Sequence, residues 1–369
     1  MKRMLLYLLC TALLLCGCAQ EPVTSDQDDG RLSIVTTVFP AYDFARAVAG
    51  EYADVKMLLP PGMESHSYEP TPADILAVQN CDLFICLGGE SDAWIDTILS
   101  AIEPKGEILR MVDCVELLEE THVEGMQTDP GHDHSHEGHD HGADELCPEE
   151  DAHIHTEEDE SLLHDEHDHD EHIEEVHDEH AHEEDNHLNL GAVVGMDEHV
   201  WTSPRNAADI TLEIGHHLAE LDAANSEIYH ANAEAYAAQI NALDQDFETF
   251  FESLPHRTMV FGDRFPLLYF ADRYELDYYA AFPGCGTQTE PSAATIAFLT
   301  EKVRNENIPT VWYIEFSNHL VADSIAEATE RQTAMFHTCH NVTRAEMDAG
   351  ATYLSLMEQN LANLKSHFA

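Results

Sequence analysis

The residues of this chain best suited to chemistry are its histidines, and most of them are crowded into one segment. Sixteen lie between positions 122 and 187, interleaved with 26 Asp and Glu residues, and no Lys or Arg occurs between Arg110 and Arg205. The pattern alternates, as in His132-Asp-His134-Ser-His136 and His167-Asp-His169. Neutral imidazole is a ligand for zinc, copper and nickel. Carboxylates add oxygen donors and a negative potential that concentrates cations. A run kept only for solubility needs acids but no imidazoles, so the composition points to metal handling.

Two further histidines sit in better-defined settings. His66 falls in Pro61-Gly62-Met63-Glu64-Ser65-His66-Ser67-Tyr68-Glu69-Pro70, a loop that follows a short apolar run. His199 stands in Met196-Asp197-Glu198-His199-Val200-Trp201, directly before the helix-start signal Ser203-Pro204. Each could equally be a core histidine bonded to a backbone carbonyl. His216, His217, His230, His256, His319 and His367 read as surface or core residues at helix faces and element ends. No His-Glu-x-x-His or similar compact catalytic motif is present, which weighs against a zinc hydrolase using Glu198, Asp263 or Glu315 as base.

The elements that must position these residues alternate between strand and helix. Ser33–Phe39, Val55–Leu59, Asp82–Leu87 and Glu107–Val112 read as strands of a first lobe. Thr71-Pro72 starts one of its helices. A second lobe repeats the scheme with strands at Thr258–Gly262, Leu276–Ala280, Thr310–Glu315 and Thr333–Phe336. Its helices start near Phe265, Pro291, Asn318 and Gly350. Between the lobes, Pro204–Ser253 carries a helical apolar pattern interrupted only by Gly215. The expected fold is α/β: two lobes, each a mainly parallel sheet covered by helices, joined by a long rigid linking helix.

The N-terminus predicts an extracytoplasmic location. Lys2 and Arg3 precede an apolar stretch, Leu5–Leu15, too short for a membrane span, and it ends Leu15-Cys16-Gly17-Cys18. That ending resembles a bacterial lipobox, with Cys18 as the lipidated residue. The formal charge of −56 makes nucleic acid an unsuitable partner. Of the cysteines beyond the leader, Cys81 and Cys86 flank a strand on opposite faces and are expected as core thiols. Cys285 and Cys339 leave a bridge possible but not deducible.

The segment Pro61–Asp74 resembles the first metal-binding motif of ABC-importer solute-binding proteins for zinc and manganese, and Met196–Pro204 resembles the second. With the lipobox and the His-rich insert between the motifs, the chain is similar to the zinc-uptake (ZnuA/TroA-like, cluster A-I) lipoprotein family over residues 32–369, the insert excepted. The resemblance implies His66 and His199 as metal ligands. The family's third ligand falls by spacing on Gly262, which has no donor, and leaves the adjacent Asp263 as a substitute. The fourth position, a family carboxylate, falls on His337, with His340 three residues on. Glu290 matches a recurrent family segment that helix capping explains as well.

The boundaries this predicts are a signal peptide over 1–17, a tether over 18–31, an N-terminal lobe over 32–118 and a disordered insert over 119–190. The end of that lobe follows over 191–203, then the linking helix over 204–255 and the C-terminal lobe over 256–369. The function implied is capture of Zn2+, with Mn2+ as the alternative ion, in the interlobe cleft of a monomer. The monomer is anchored by lipid to the outer face of a bacterial cell membrane and delivers the ion to an ABC permease and its ATPase. It performs no catalysis. A zinc buffer or adhesin without a permease would carry the same site.

Overall fold

The computed structural model describes residues 30–65, 68–89, 93–126, 195–284 and 291–368. The leader with Cys18, most of the His-rich segment, His66, Cys285 and Glu290 lie outside the described residues.

Four parallel strands build the first sheet: β1 (Leu32–Thr36), β2 (Ala53–Met57), β3 (Leu83–Cys86) and β4 (Glu107–Arg110), in the order β2-β1-β3-β4. The inner strand β3 is buried at all four positions, which is why Leu-Phe-Ile-Cys reads as a continuous apolar run without alternation. Helices α1 (Phe39–Ala49), α2 (Pro72–Asn80) and α3 (Ala93–Ala101) make the crossovers. Thr71 and Asp74 cap α2 reciprocally, as the Thr-Pro start signal predicts. No disulfide joins Cys81 and Cys86.

The expected single linking helix is two helices, α4 (Pro204–Leu221) and α5 (Ser226–Glu252). Asp222 ends the first of them. Its Oδ1 accepts from the Ala224 N–H at 3.2 Å, and its Oδ2 accepts from Asn225 Nδ2 at 2.7 Å and from the Tyr229 hydroxyl at 3.0 Å. These bonds favour a turn over continued helix, and the chain folds back on itself. Gly215 lies where the two helices come closest: a Cβ there would sit 2.6 Å from the Ala233 Cβ. An aperiodic break of four residues is invisible to an apolar-periodicity reading, since both helices keep the same 3.6-residue pattern.

The second sheet holds β5 (Thr258–Phe265), β6 (Asp277–Pro283), β7 (Thr310–Ile314) and β8 (Gln332–Phe336), all parallel, in the order β6-β5-β7-β8. Its helices are α6 (Leu268–Arg273), α7 (Ala293–Asn305), α8 (Leu320–Thr329), the short α9 (Arg344–Asp348) and α10 (Tyr353–His367). The expected strand therefore runs three residues past Gly262, to Phe265.

The two lobes share the main core, and a smaller cluster around Val260, Leu299 and Ile325 belongs to the second lobe alone. Tyr229 and Tyr236 on α5 pack beside Tyr52 and Phe44 of the first lobe, while Phe247 and Phe251 pack on Phe270 and Tyr274 of the second. Tyr353 of α10 lies edge-on to Phe44 with ring centroids 5.2 Å apart. Asp43, 1% exposed, accepts from Arg46 Nη2 at 2.7 Å, from the Tyr353 N–H at 2.8 Å and from the Tyr236 hydroxyl. A buried carboxylate is tolerated only when its oxygens are satisfied in this way.

The ordered first lobe runs past the expected boundary at 118. Glu119 forms an antiparallel bridge with Met196, the Glu120 N–H donates to the Gly195 carbonyl, and Thr121 shares a hydrogen bond with the Tyr278 hydroxyl. Leu117, Leu118 and Met126 supply the apolar contact that holds this stretch.

Candidate metal centre

In both sheets the strand order reverses between the two inner strands, β1 and β3 in one and β5 and β7 in the other. Open α/β sheets leave a crevice at the carboxyl ends there. A cleft of about 60 Å³ lies between the lobes, lined by Met63, Glu64, Ser65 and His199 on one side and by Arg264, Glu315, Phe316, Thr338, His340 and Asn341 on the other. Pockets for ordinary small molecules run to roughly 300–1,000 Å³. This one is sized for an ion.

His199 is 2% exposed and ends the loop before α4. The Asp197 carboxylate accepts from its backbone N–H at 2.8 Å and contacts its Nδ1 at 3.1 Å. A carboxylate on Nδ1 fixes the tautomer and makes Nε2 the ligating nitrogen. The His340 ring lies edge-on to it with centroids 5.8 Å apart at 72°, and Trp201 packs at an angle against both, 5.4 Å from His199 and 5.3 Å from His340. With Zn–N near ~2.1 Å, two imidazoles on one tetrahedral ion have centroids roughly 5–6 Å apart. The Trp201 indole donates to the Thr338 carbonyl at 2.9 Å, so the His199 and His340 segments are braced against each other.

His66 itself lies outside the described residues, but its flanks are anchored. Before it, the Gly62 N–H donates to the Val342 carbonyl at 2.8 Å, and Asn341 Nδ2 donates to the carbonyls of Pro60 and Met63 at 2.8 and 2.7 Å. After it, the Tyr68 hydroxyl donates to Asp74 at 2.9 Å. Asp74 also accepts from Lys56 Nζ at 2.9 Å and from Thr71. Burial raises the Asp74 pKa, but the bonds from Thr71, Lys56 and Tyr68 outweigh it and hold the carboxyl down at about 2.

Of the two late histidines, His340 lines the cleft and His337 does not. His337 is 3% exposed but is not on the cleft wall. Its Nδ1 accepts from the Cys339 N–H at 2.9 Å, and Asn360 on α10 bonds both its backbone N–H and its carbonyl. Its Nε2 is buried without a hydrogen-bond partner among the described residues, 3.8 Å from Oε1 of the half-buried Glu346, and its Nδ1 also lies 3.6 Å from Glu315 Oε1. His340, three residues on, reaches the cleft because the chain turns at Cys339, which has φ 63°.

The segment after β5 also differs from the expectation. Gly262 faces helix α8, where a Cβ would lie 2.5 Å from the Ala322 N and Cα. Packing alone accounts for a glycine at this position. Asp263 does not line the cleft: its carboxylate accepts from the Arg264 N–H at 2.9 Å and, at 3.4 Å, from the Ile314 N–H, and burial raises its pKa. The pairing of β5 with β6 slips between Phe261 and Arg264, and the side chain that arrives in the cleft is Arg264.

Glu315 at the end of β7 is the site residue the motifs did not suggest as a ligand. It is 8% exposed and accepts from the Thr338 N–H at 2.7 Å and from the Thr338 hydroxyl. Its signal was its place just past the Thr310–Ile314 strand, at the carboxyl end of a sheet. Among the described residues no three His, Cys, Asp or Glu side chains converge as a complete ion cage.

Comparison with known proteins agrees with this architecture. The family described as zinc-uptake complex component A, periplasmic, matches residues 34–367. The high-affinity zinc uptake system protein ZnuA of Bacillus subtilis is 27% identical over 359 residues, covering 95% of this chain and 92% of the relative. The zinc-binding lipoprotein AdcA of Streptococcus pneumoniae serotype 4 is 27% identical over 363 residues, 98% of this chain; the chain spans 60% of the length of that relative. The crystal structure of the Zn(II)-bound ZnuA-like domain of S. pneumoniae AdcA superposes with a TM-score of 0.64 at 23% identity, covering 92% of this chain and 99% of that one, a likeness of fold. A two-lobe α/β body, with one imidazole from each lobe meeting in an ion-sized cleft, is thus carried by a chain that belongs to the zinc-uptake complex component A family.

Proposed function

We propose that this chain captures Zn2+ in the interlobe cleft and hands it to a membrane permease of an ABC importer. The observation that carries the reading is the pairing of His199 with His340 across an ion-sized cleft. His66, next to the cleft-lining Ser65, supplies the third imidazole, and Glu315 supplies the carboxylate. Ligands of three nitrogens and one oxygen suit tetrahedral zinc, whereas manganese favours more oxygens. His337 and Asp263 support the turns that carry these groups.

The relatives' names support zinc as the ion, and the B. subtilis relative's name includes an uptake system. The AdcA relative is a lipoprotein by name, which suits Cys18 as a lipid anchor at the outer face of the cell membrane. Among the described residues no helix is long and apolar enough to cross a membrane. The His-rich segment raises the local zinc concentration through weak, rapidly exchanging sites. Catalysis has no part in this reading.

Complementation tests it. A strain lacking this chain, grown in zinc-poor medium, should recover radioactive zinc uptake with the wild-type chain and not with His199→Ala or His340→Ala expressed at equal level. Full recovery by both variants would remove the cleft from the uptake function, and no uptake defect on deletion would leave a buffer or an adhesin.

A further inference from the structure

Arg264 has no place in the proposed ligand set, yet it stands on the cleft wall with His199, His340 and Glu315. Its side chain is only 17% exposed, and its Nη1 lies 3.9 Å from Glu64 Oε2 on the opposite lobe. The guanidinium is protonated at every physiological pH, so it cannot switch off as an imidazole does. A dication entering the cleft therefore meets a fixed, half-buried positive charge, in surroundings where charges interact more strongly than in water.

We infer that Arg264 sets the affinity threshold of the cleft: it imposes the same electrostatic penalty on every divalent ion, leaving the zinc-to-manganese ratio unchanged but dropping the weaker binder below its working concentration. Only ions that bond strongly to imidazole overcome it. Zinc gains its affinity from nitrogen ligands, whereas Mn2+ prefers oxygens and bonds imidazole less tightly. A uniform penalty therefore excludes manganese while leaving zinc bound, and it shortens zinc's residence so that the ion can be passed on. With the cleft empty, Glu64 is the counter-ion; with the cleft filled, the guanidinium leaves Glu64 for solvent.

This rests on the cleft reading above, and the two fail separately. Trp201 lies within 5.4 Å of the His199 ring centroid and 5.3 Å of the His340 one, so in the full chain carrying Trp94→Phe and Trp312→Phe its fluorescence reports on the cleft. The wild-type chain should respond to Zn2+ and not to millimolar Mn2+. Arg264→Gln should respond to both and release zinc to excess chelator at least tenfold more slowly. Arg264→Lys, which keeps the charge and loses the fork, should behave as wild type. If Arg264→Gln releases zinc at the wild-type rate or stays blind to Mn2+, the inference falls. If Arg264→Lys matches Arg264→Gln, the effect is packing and not charge, which overturns it as well. A His199→Ala chain that still gives the zinc response would instead sink the cleft reading itself.

Discussion

At the scale of single residues, the proposed site divides into groups that would bond the ion and groups that aim them. His199→Ala and His340→Ala should each weaken cleft zinc binding by at least an order of magnitude, because losing one ligand forfeits several kcal/mol of the roughly 10–16 in a closed zinc site. His337→Ala should leave the affinity within about threefold and lower thermal stability instead, since it deletes a buried ring that accepts the Cys339 N–H. Chelator competition read by tryptophan fluorescence separates these outcomes; a His337→Ala chain that loses zinc as His199→Ala does would put the ligand back on His337. His199 was legible because its motif is compact and its orienting Asp197 is two residues away. The late cleft histidine was not: whether His337 or His340 faces the cleft depends on one left-handed residue, Cys339, and a non-glycine φ of that sign leaves no mark in composition or spacing.

At the scale of elements, the strands and most helices were readable from periodicity, and what failed was where elements end. β5 continues to Phe265 through a slip in pairing, which moves the cleft residue from 262 to 264. Gly262→Ala tests the reassignment: it should cost about 1–3 kcal/mol by pushing α8 from β5, with zinc affinity of the folded protein retained. Denaturant melts with and without zinc would show both. Reduced affinity at unchanged stability would return position 262 to the site. The loop that carries His66 is anchored through Asp74, whose folded pKa of about 2 lies below its unfolded value near ~3.9. A depressed carboxyl contributes stability above the unfolded pKa and loses it as pH falls through the folded one. Asp74→Asn should therefore cost roughly 1–2 kcal/mol at neutral pH and progressively less between about pH 4 and pH 2. A cost independent of pH across that window would show that the carboxylate's charge is not what holds the loop.

At the scale of the whole molecule, the His-rich run announced itself by composition, but its edges did not. Residues 119–126 belong to the folded body through the Glu119–Met196 bridge and the packing of the partly buried Leu118 and Met126 against the core. Removal of residues 127–190 should keep the fold and the one tight cleft site while abolishing several weaker zinc sites. Those weaker sites should fade as pH falls through about 6.5, where free imidazole protonates and competes with metal. Zinc titrations of both forms at two pH values give the count, and equal stoichiometry in the two would rule out a collecting role. Loss of the tight site on deletion would mean that the run itself contributes a cleft ligand.

The core that α5 and α10 carry from one lobe to the other has a consequence for how long the protein survives, if it stands on the cell surface as proposed. Since the main core runs through both lobes and only the smaller cluster around Val260, Leu299 and Ile325 is private to the second, the body should melt in one step, and an ion held at the cleft should then protect it from global opening. By mass action, zinc at a hundred times its dissociation constant adds about 2.7 kcal/mol to global stability. Surface proteases cut opened chains in proportion to their population, so the same zinc should lengthen the receptor's half-life by up to roughly a hundredfold wherever opening is global. Idle receptors would be culled and working ones spared, making receptor number follow ion supply without a transcriptional signal. Pulse-chase turnover in zinc-replete and zinc-starved cells reads this directly, with His199→Ala turning over quickly in both; equal half-lives for the wild-type chain in the two conditions would count against it.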